Sequence, residues 1–447
     1  MTRQKHLKQL VRARMAKTGE RYATARRHII REAPSAGAST ARASHLTGNA
    51  PATTALRVLL TDAGVRAPHT DQPFTEAMLF GIAGGVGIGV FSFLYEKANF
   101  ASFYVAGRND WADDVRYLTR AAERLGAKPA IVEGVKPSAQ AIAASVAAGQ
   151  PCIVWLDAAG LPYKAMPAMF SGMASHVVVL YALDDAMKTA RIGDLSDEAI
   201  EIPSDVLAAA RARIKKDRNR VMTVRAGAAI PPLGTLVRAG LEACRDGLLG
   251  ANAVGGSTTN FSLDALRVWA DRLHGSRDKD SWERVFTPGA RLWRGLTSIN
   301  EYIEHYGTGG GLCRPLFAEF LAEAAAALGS ASLRALGEQY AELGRAWSDL
   351  ADAALPDTVP AMREAKEVLA RRSEHLHSDG PPATDAVRAA WQRLDELAAG
   401  AEQEFPLSST DIVDLRIELQ RRVRAIHADE VAAHQALATA IARWPNR

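Results

Sequence analysis

Thiols are scarce in this sequence: 447 residues carry three cysteines, at positions 152, 244 and 313. An odd, widely spaced trio excludes a disulfide-stapled secreted scaffold and fits a reducing compartment, so a cytoplasmic protein is expected. Long apolar runs are missing as well. The longest, around 78–93, is interrupted by five glycines and falls short of the roughly 18 residues that a membrane span needs. The N-terminus lacks the uninterrupted apolar core of a secretory signal. No repeat of fixed period occurs. The glycine run Gly81-x-x-Gly84-Gly85-x-Gly87-x-Gly89 misses the G-x-G-x-x-G pattern of dinucleotide sites and has no P-loop lysine. No cofactor or metal is therefore expected.

What is present is an ordinary globular balance, 48% apolar and 23% charged, enough for about two to three domains with real cores. The formal charge of +4 is unevenly spread. Residues 1–33 hold ten Lys/Arg against Glu20 and Glu32, a net +8, which leaves −4 on the other 414 residues. Leu10, Val11 and Met15 mark one helical face, Thr18-Gly19-Glu20 a turn, and Tyr22, Ala25, Ile29 and Ile30 a second face. The arm reads as a basic helical hairpin. Its cations, with Arg12, Arg14, Arg26 and Arg27 as candidate partner-binding residues, suit nucleic-acid phosphates or an acidic protein such as an acyl carrier. A solvated basic helix is the plainer reading, and an Arg-rich, acid-poor start also has the composition of an organellar transit peptide. Residues 34–49 are small, polar and aperiodic, a linker.

The rest divides by periodicity into a mixed middle (50–230) and helical segments at 231–350 and 351–447. Helices are expected at 53–62, 76–81 and 110–125, and strands at 152–156, 176–183, 190–193 and 221–224. After Pro232 every pattern is helical, through a last helix at 409–442 whose apolar stripe runs from Ile412 to Leu437. The expected class is α+β: a mixed domain followed by a large all-α region.

Several short runs within the middle segment carry a resemblance. They are Thr54-Ala55-Leu56 at a helix start, Phe74-Thr75-Glu76-Ala77-Met78-Leu79-Phe80-Gly81 with the glycines after it, Gly107-Arg108, Leu161-Pro162-Tyr163, His176-Val177-Val178-Val179 ending in Asp184-Asp185, and Ile192-Gly193-Asp194. This segment resembles the N-terminal-domain family of butirosin biosynthesis protein H (BtrH). Residues from Trp269 to Trp347, with Gly309-Gly310-Gly311-Leu312, look like the helical domain that often follows it. The resemblance covers roughly 50–350 and implies a papain-like cysteine-protease fold. It also implies acyl chemistry directed at an amine: transfer of an aminoacyl group from a carrier protein to a small-molecule acceptor. It places a base at His176 and its orienting partner at Asp194, 18 residues later, the two outer members of a nucleophile–base–orienter trio.

The nucleophile is absent. Where the family has a cysteine before the Thr-Ala-Leu helix, the chain reads Asn49-Ala50-Pro51-Ala52-Thr53-Thr54, and the nearest thiol is about 100 residues away. Two readings stay open: an acyltransferase working through His176 and Asp194 without a covalent nucleophile, and a catalytically silent binding or regulatory module. Thr53 is the nearest hydroxyl to the missing thiol, although helix capping explains a threonine there equally well. Glu76, Gly84, Gly85, Gly87 and Tyr163 are candidate substrate-pocket residues. Against that stand a charge at a helix start for Glu76 and close backbone packing for the glycines. Cys152, Cys244 and Cys313 read as packing. His427, Glu430 and His434 share one helical face, two of them at metal-clamp spacing, but without a third ligand. His375 and His377 fall in a polar stretch read as loop.

Overall fold

The computed structural model describes residues 3–18, 25, 45–96, 100–253 and 257–444. In chain order the elements are α1 (Arg3–Thr18), α2 (Pro51–Asp62), α3 (Glu76–Ile82), β1 (Val86–Tyr95), β2 (Phe100–Arg108), α4 (Asp114–Arg124), β3 (Lys128–Val132), α5 (Val135–Ala147), β4 (Cys152–Asp157), β5 (Ser175–Asp184), β6 (Thr189–Gly193), β7 (Ile200–Pro203), α6 (Ser204–Arg213) and β8 (Val221–Arg225). Helices follow: α7 (Leu233–Leu248), α8 (Asp264–Leu273), α9 (Trp282–Val285), α10 (Ala290–Glu304), α11 (Arg314–Leu328), α12 (Ala331–Ala354), α13 (Pro360–Ser378), α14 (Thr384–Gln403) and α15 (Ser409–Ala442). The class is α+β. The arm's second helical face, with Tyr22, Ile29, Ile30, Arg26 and Arg27, and the linker residues 34–44 lie outside the described residues.

Contacts group the chain into two units, each assembled from three stretches. The first comprises Met1–Leu79, Leu118–Leu233 and Arg371–Trp391. Its centre is a six-stranded antiparallel sheet of order β3-β8-β4-β5-β6-β7. Strand β4 is buried along its whole length, which is why Cys152-Ile153-Val154-Trp155-Leu156 reads as an unbroken apolar run rather than an alternation. One face of the sheet, with Val154, Leu156, Val178, Leu180, Ile192 and Ile200, packs on Ile142 of α5 and on Leu207 and Ala210 of α6. Each fully buried aliphatic side chain there contributes about 1.5–3 kcal/mol. Helix α2 lies against β4, β5 and β8, yet its buried Leu56, Leu59 and Leu60 are not in that cluster. It covers the other face. Gly64, in the left-handed conformation, ends α2, with Val65 N–H reaching back to Leu60 O.

The second unit comprises Phe80–Tyr117, Gly234–Ala370 and Gln392–Arg447. Strands β1 and β2 pair antiparallel from Val86↔Arg108 to Tyr95↔Phe100, and β2 packs along α10. The sequence pattern assigns no element to the glycine run, but its second half is β1. A Cβ at Gly89 would sit 2.2 Å from the Trp111 indole nitrogen, so these glycines admit neighbours rather than break the strand. Helix α12 packs on α11 and on α15, which also meets α8. At the centre, Arg314 and Glu430 are fully buried and paired, Nε to Oε1 at 2.7 Å. The guanidinium also donates to the carbonyls of Gly87, Gly107 and Leu312. His375 and His377, expected in a loop, stand in the last turn of helix α13. Among the described residues no helix is long and apolar enough to cross a membrane.

Candidate functional site

The crossover from β4 to β5 delivers the polar cluster of the sheet-bearing unit. Asp157 closes β4 fully buried and accepts Gly172 N–H at 2.8 Å, which pins both ends of the segment 158–174. Within it, Pro162 starts a short 3-10 turn that carries Tyr163 and Lys164, and Ala165 ends it in the left-handed region at φ 43°. Indole Nε1 of Trp391 donates to Lys164 O at 3.1 Å, and the Arg372 guanidinium lies over the Trp391 ring. The chain then re-enters the sheet at Ser175, whose hydroxyl donates to Asp217 at 2.6 Å.

His176 is paired across the sheet with Leu156, so its ring projects to the face that carries Tyr163. Asp194 directly follows β6, the neighbouring strand. Its carboxylate, 2% exposed, receives three donors: His176 Nε2 at 3.0 Å on Oδ1, and Tyr163 OH and Lys164 Nζ, each at 2.8 Å, on Oδ2. Burial alone would raise this carboxyl, but the adjacent His176 and Lys164 outweigh it and hold Asp194 well below the usual carboxylate range. Burial first, then the Asp194 charge, pushes the Tyr163 phenol well above its ordinary value, so it remains a donor. An ionised carboxylate only accepts. Nε2 must therefore carry the proton, and in the neutral ring the lone pair falls on Nδ1. Nδ1 has no partner among the described residues and is not sealed in the interior. The arrangement can take a proton at that atom.

The other residues singled out from the sequence lie elsewhere. Glu76 accepts the N–H groups of Asn49 and Ala50 and the hydroxyl of Thr54, each at 2.8 Å through Oε1. Its carboxylate serves the start of α2, where no side chain of the N-cap residue Ala50 does so. A Cβ at Gly48 would lie 2.4 Å from that oxygen, so the approach needs glycine. Thr53 is 1% exposed on α2. Gly84 and Gly85, at φ 122° and 60°, turn the chain into β1, and Gly87 lies in β1. All three are in the second unit, where Gly87 joins Arg108, Asn109 and Trp111 around a narrow cleft. Arg12 donates to Glu374 at 2.7 Å. Glu430 is taken by Arg314 and by Trp347 Nε1, and His434 faces Arg245 O. No cluster of metal-ligating side chains occurs among the described residues.

Sequence reasoning missed Lys164. Only its position beside Tyr163 hinted at it, because a lysine in a crossover carries no periodicity and its partner lies 30 residues further on.

The thiols are enclosed by the fold, all three of them buried. Desolvation, against the opposing pull of Arg211, pushes Cys152 up to about 12. Cys244 is likewise pushed up to about 12 by burial, despite the nearby Arg314.

Residues 50–195 match the family model described as butirosin biosynthesis protein H, N-terminal, and residues 205–378 match a domain of unknown function (DUF4872). The chain thus carries, in that order, a segment that matches the BtrH N-terminal domain family and one that matches this domain of unknown function. No curated protein matches the chain.

Proposed function

We propose that this protein is a cytosolic, BtrH-like acyltransferase of secondary metabolism with a papain-like sheet domain. It moves an acyl or aminoacyl group from a thioester, of the kind an acidic acyl carrier protein presents, to a small-molecule amine. The carrying observation is the His176–Asp194 pair at 3.0 Å with Nδ1 left open. His176 Nδ1 takes a proton from the acceptor amine as its nitrogen forms the new C–N bond. The C–S bond breaks, and the departing thiolate recovers the proton from the imidazolium. Asp194 orients the ring and stabilises its charged form. No covalent enzyme intermediate is needed, which agrees with the buried thiols. The test is aminolysis of a short acyl thioester of N-acetylcysteamine by a panel of small amines. His176→Ala should lower turnover by about 10²–10⁴-fold, and an unaffected variant ends the reading.

A second reading rests on those same thiols: a binding or regulatory protein that keeps the family's fold without its chemistry, with the basic arm contacting nucleic acid. Arg12 already has a partner in Glu374, which counts against a free cationic surface at that position. An electrophoretic shift at low salt that disappears on deleting residues 1–33 would favour this second reading.

A further inference from the structure

We propose that Lys164 is a positioning residue: with Tyr163 it holds Asp194 as a carboxylate turned toward His176, fixing the imidazole as the Nε2–H tautomer and limiting how readily it is protonated. The inference rests on the reading of His176 as the base and names what sets that base's proton affinity. An imidazole facing a buried carboxylate gains a stabilised charged form and is protonated more readily. Here the same carboxylate is shared. One oxygen serves His176, and the other is neutralised by Lys164 Nζ at 2.8 Å, with Tyr163 OH at the same distance. A second cation on the carboxylate opposes a charge on the ring, since like charges a few ångströms apart repel. Tyr163 adds a donor without charge, so it orients Asp194 and leaves the balance to the lysine.

The charged groups tied to the next residues along these strands are already matched. On β4, next to Leu156, Asp157 is held by Gly172 N–H and faces Arg213. Beside Ser175, Asp217 takes the serine hydroxyl and lies 4.0 Å from Arg220. Lys164 is therefore the cation whose removal acts on His176 through Asp194. The backbone fits the role. Trp391 fixes the Lys164 carbonyl, and Pro162 and the left-handed Ala165 bracket the turn, so the lysine stem starts from a fixed backbone beside Asp194.

The experiment uses the full chain with ¹⁵N-labelled histidine, His176 being assigned by difference from His176→Gln, and follows the ring nitrogens by long-range ¹H–¹⁵N correlation across pH. The wild type should show the Nε2–H tautomer. Lys164→Met should raise the His176 midpoint by about one pH unit, a tenfold change in proton affinity, and Lys164→Arg should restore it. Lys164→Gln replaces the methionine variant if that fails to fold. An Nδ1–H tautomer in the wild type, or a midpoint unmoved on removing the cation, overturns the proposal. Because the readout is not turnover, expected spectra with an active His176→Ala enzyme would sink the base reading and leave the positioning intact.

Discussion

Replacing Asp194 by asparagine removes the one negative charge on which His176, Lys164 and Tyr163 converge while preserving shape. Breaking a buried pair by removing one partner costs about 3–5 kcal/mol. Lys164 and His176 keep 14% and 15% of their side chains exposed, so water relieves part of the loss and about 2–4 kcal/mol is expected at pH 7. The pH dependence carries the sharper test. The folded carboxyl lies well below its ordinary value, so its stabilising contribution is complete above the unfolded value near 3.9 and is lost as pH falls below it. The wild type should therefore lose its advantage over Asp194→Asn in acid, by about 1 kcal/mol at pH 3, where the unfolded chain takes up a proton that the folded one refuses. Urea titrations of both proteins at pH 7, 5, 3.5 and 3, followed by circular dichroism, measure the gap directly. A gap that stays constant across this range, or one under about 1 kcal/mol at pH 7, would refute the account of Asp194 as the charged centre of the cluster.

Arg314→Met should strand Glu430 and three carbonyls in the core of the helical unit. The expected cost is about 3–5 kcal/mol, or roughly 2–4 °C of Tm per kcal/mol in calorimetry; adding Glu430→Met should recover part of it, and strictly additive losses would deny the coupling. Glu76→Ala should cost about 1–3 kcal/mol by leaving Asn49 and Ala50 N–H without their acceptor, and an unchanged thermal midpoint would remove Glu76 from the helix start. At pH 8 Cys152 and Cys244, both pushed up to about 12, should alkylate about a thousandfold more slowly than free cysteine. Mass spectrometry after a short iodoacetamide pulse checks this, with all three thiols reacting in denaturant, and prompt labelling of either in the native protein would contradict it.

Elements that depend on local patterning were legible in the chain itself. Helix α15 matches its expected span 409–442, since a capping residue, Ser408, and a long apolar stripe declare it. Strands β4, β5, β6 and β8 announce themselves through β-branched and aromatic runs, each found within a residue or two of its expected ends. His176 and Asp194 were singled out through the family resemblance, and their places on consecutive strands agree with it, since a hairpin necessarily makes such strands neighbours. The pattern failed where a residue's meaning is supplied by something distant. Glycines in β1 look like breakers until Trp111 and Arg108 occupy the space that side chains would fill. Helix α13 hides in a polar stretch because much of its stabilisation is tertiary.

Composition and periodicity alone determined the α+β class and the basic arm set against an acidic body, and the family resemblance marked the stretch where a thiol is expected and missing. The same resemblance, carried on short runs of residues, pointed to the candidate base, because covalent sequence carries residue identity and near-neighbour geometry. Tertiary structure decided the rest. It brought Arg371–Trp391 into the sheet-bearing unit, turned Glu76 to the start of α2, and closed Arg314 on Glu430. It also set Lys164 on the carboxylate that faces His176. Each of these joins groups far apart along the chain, and no local propensity encodes such a pairing; only burial, by making an unpaired charge or donor costly, selects it.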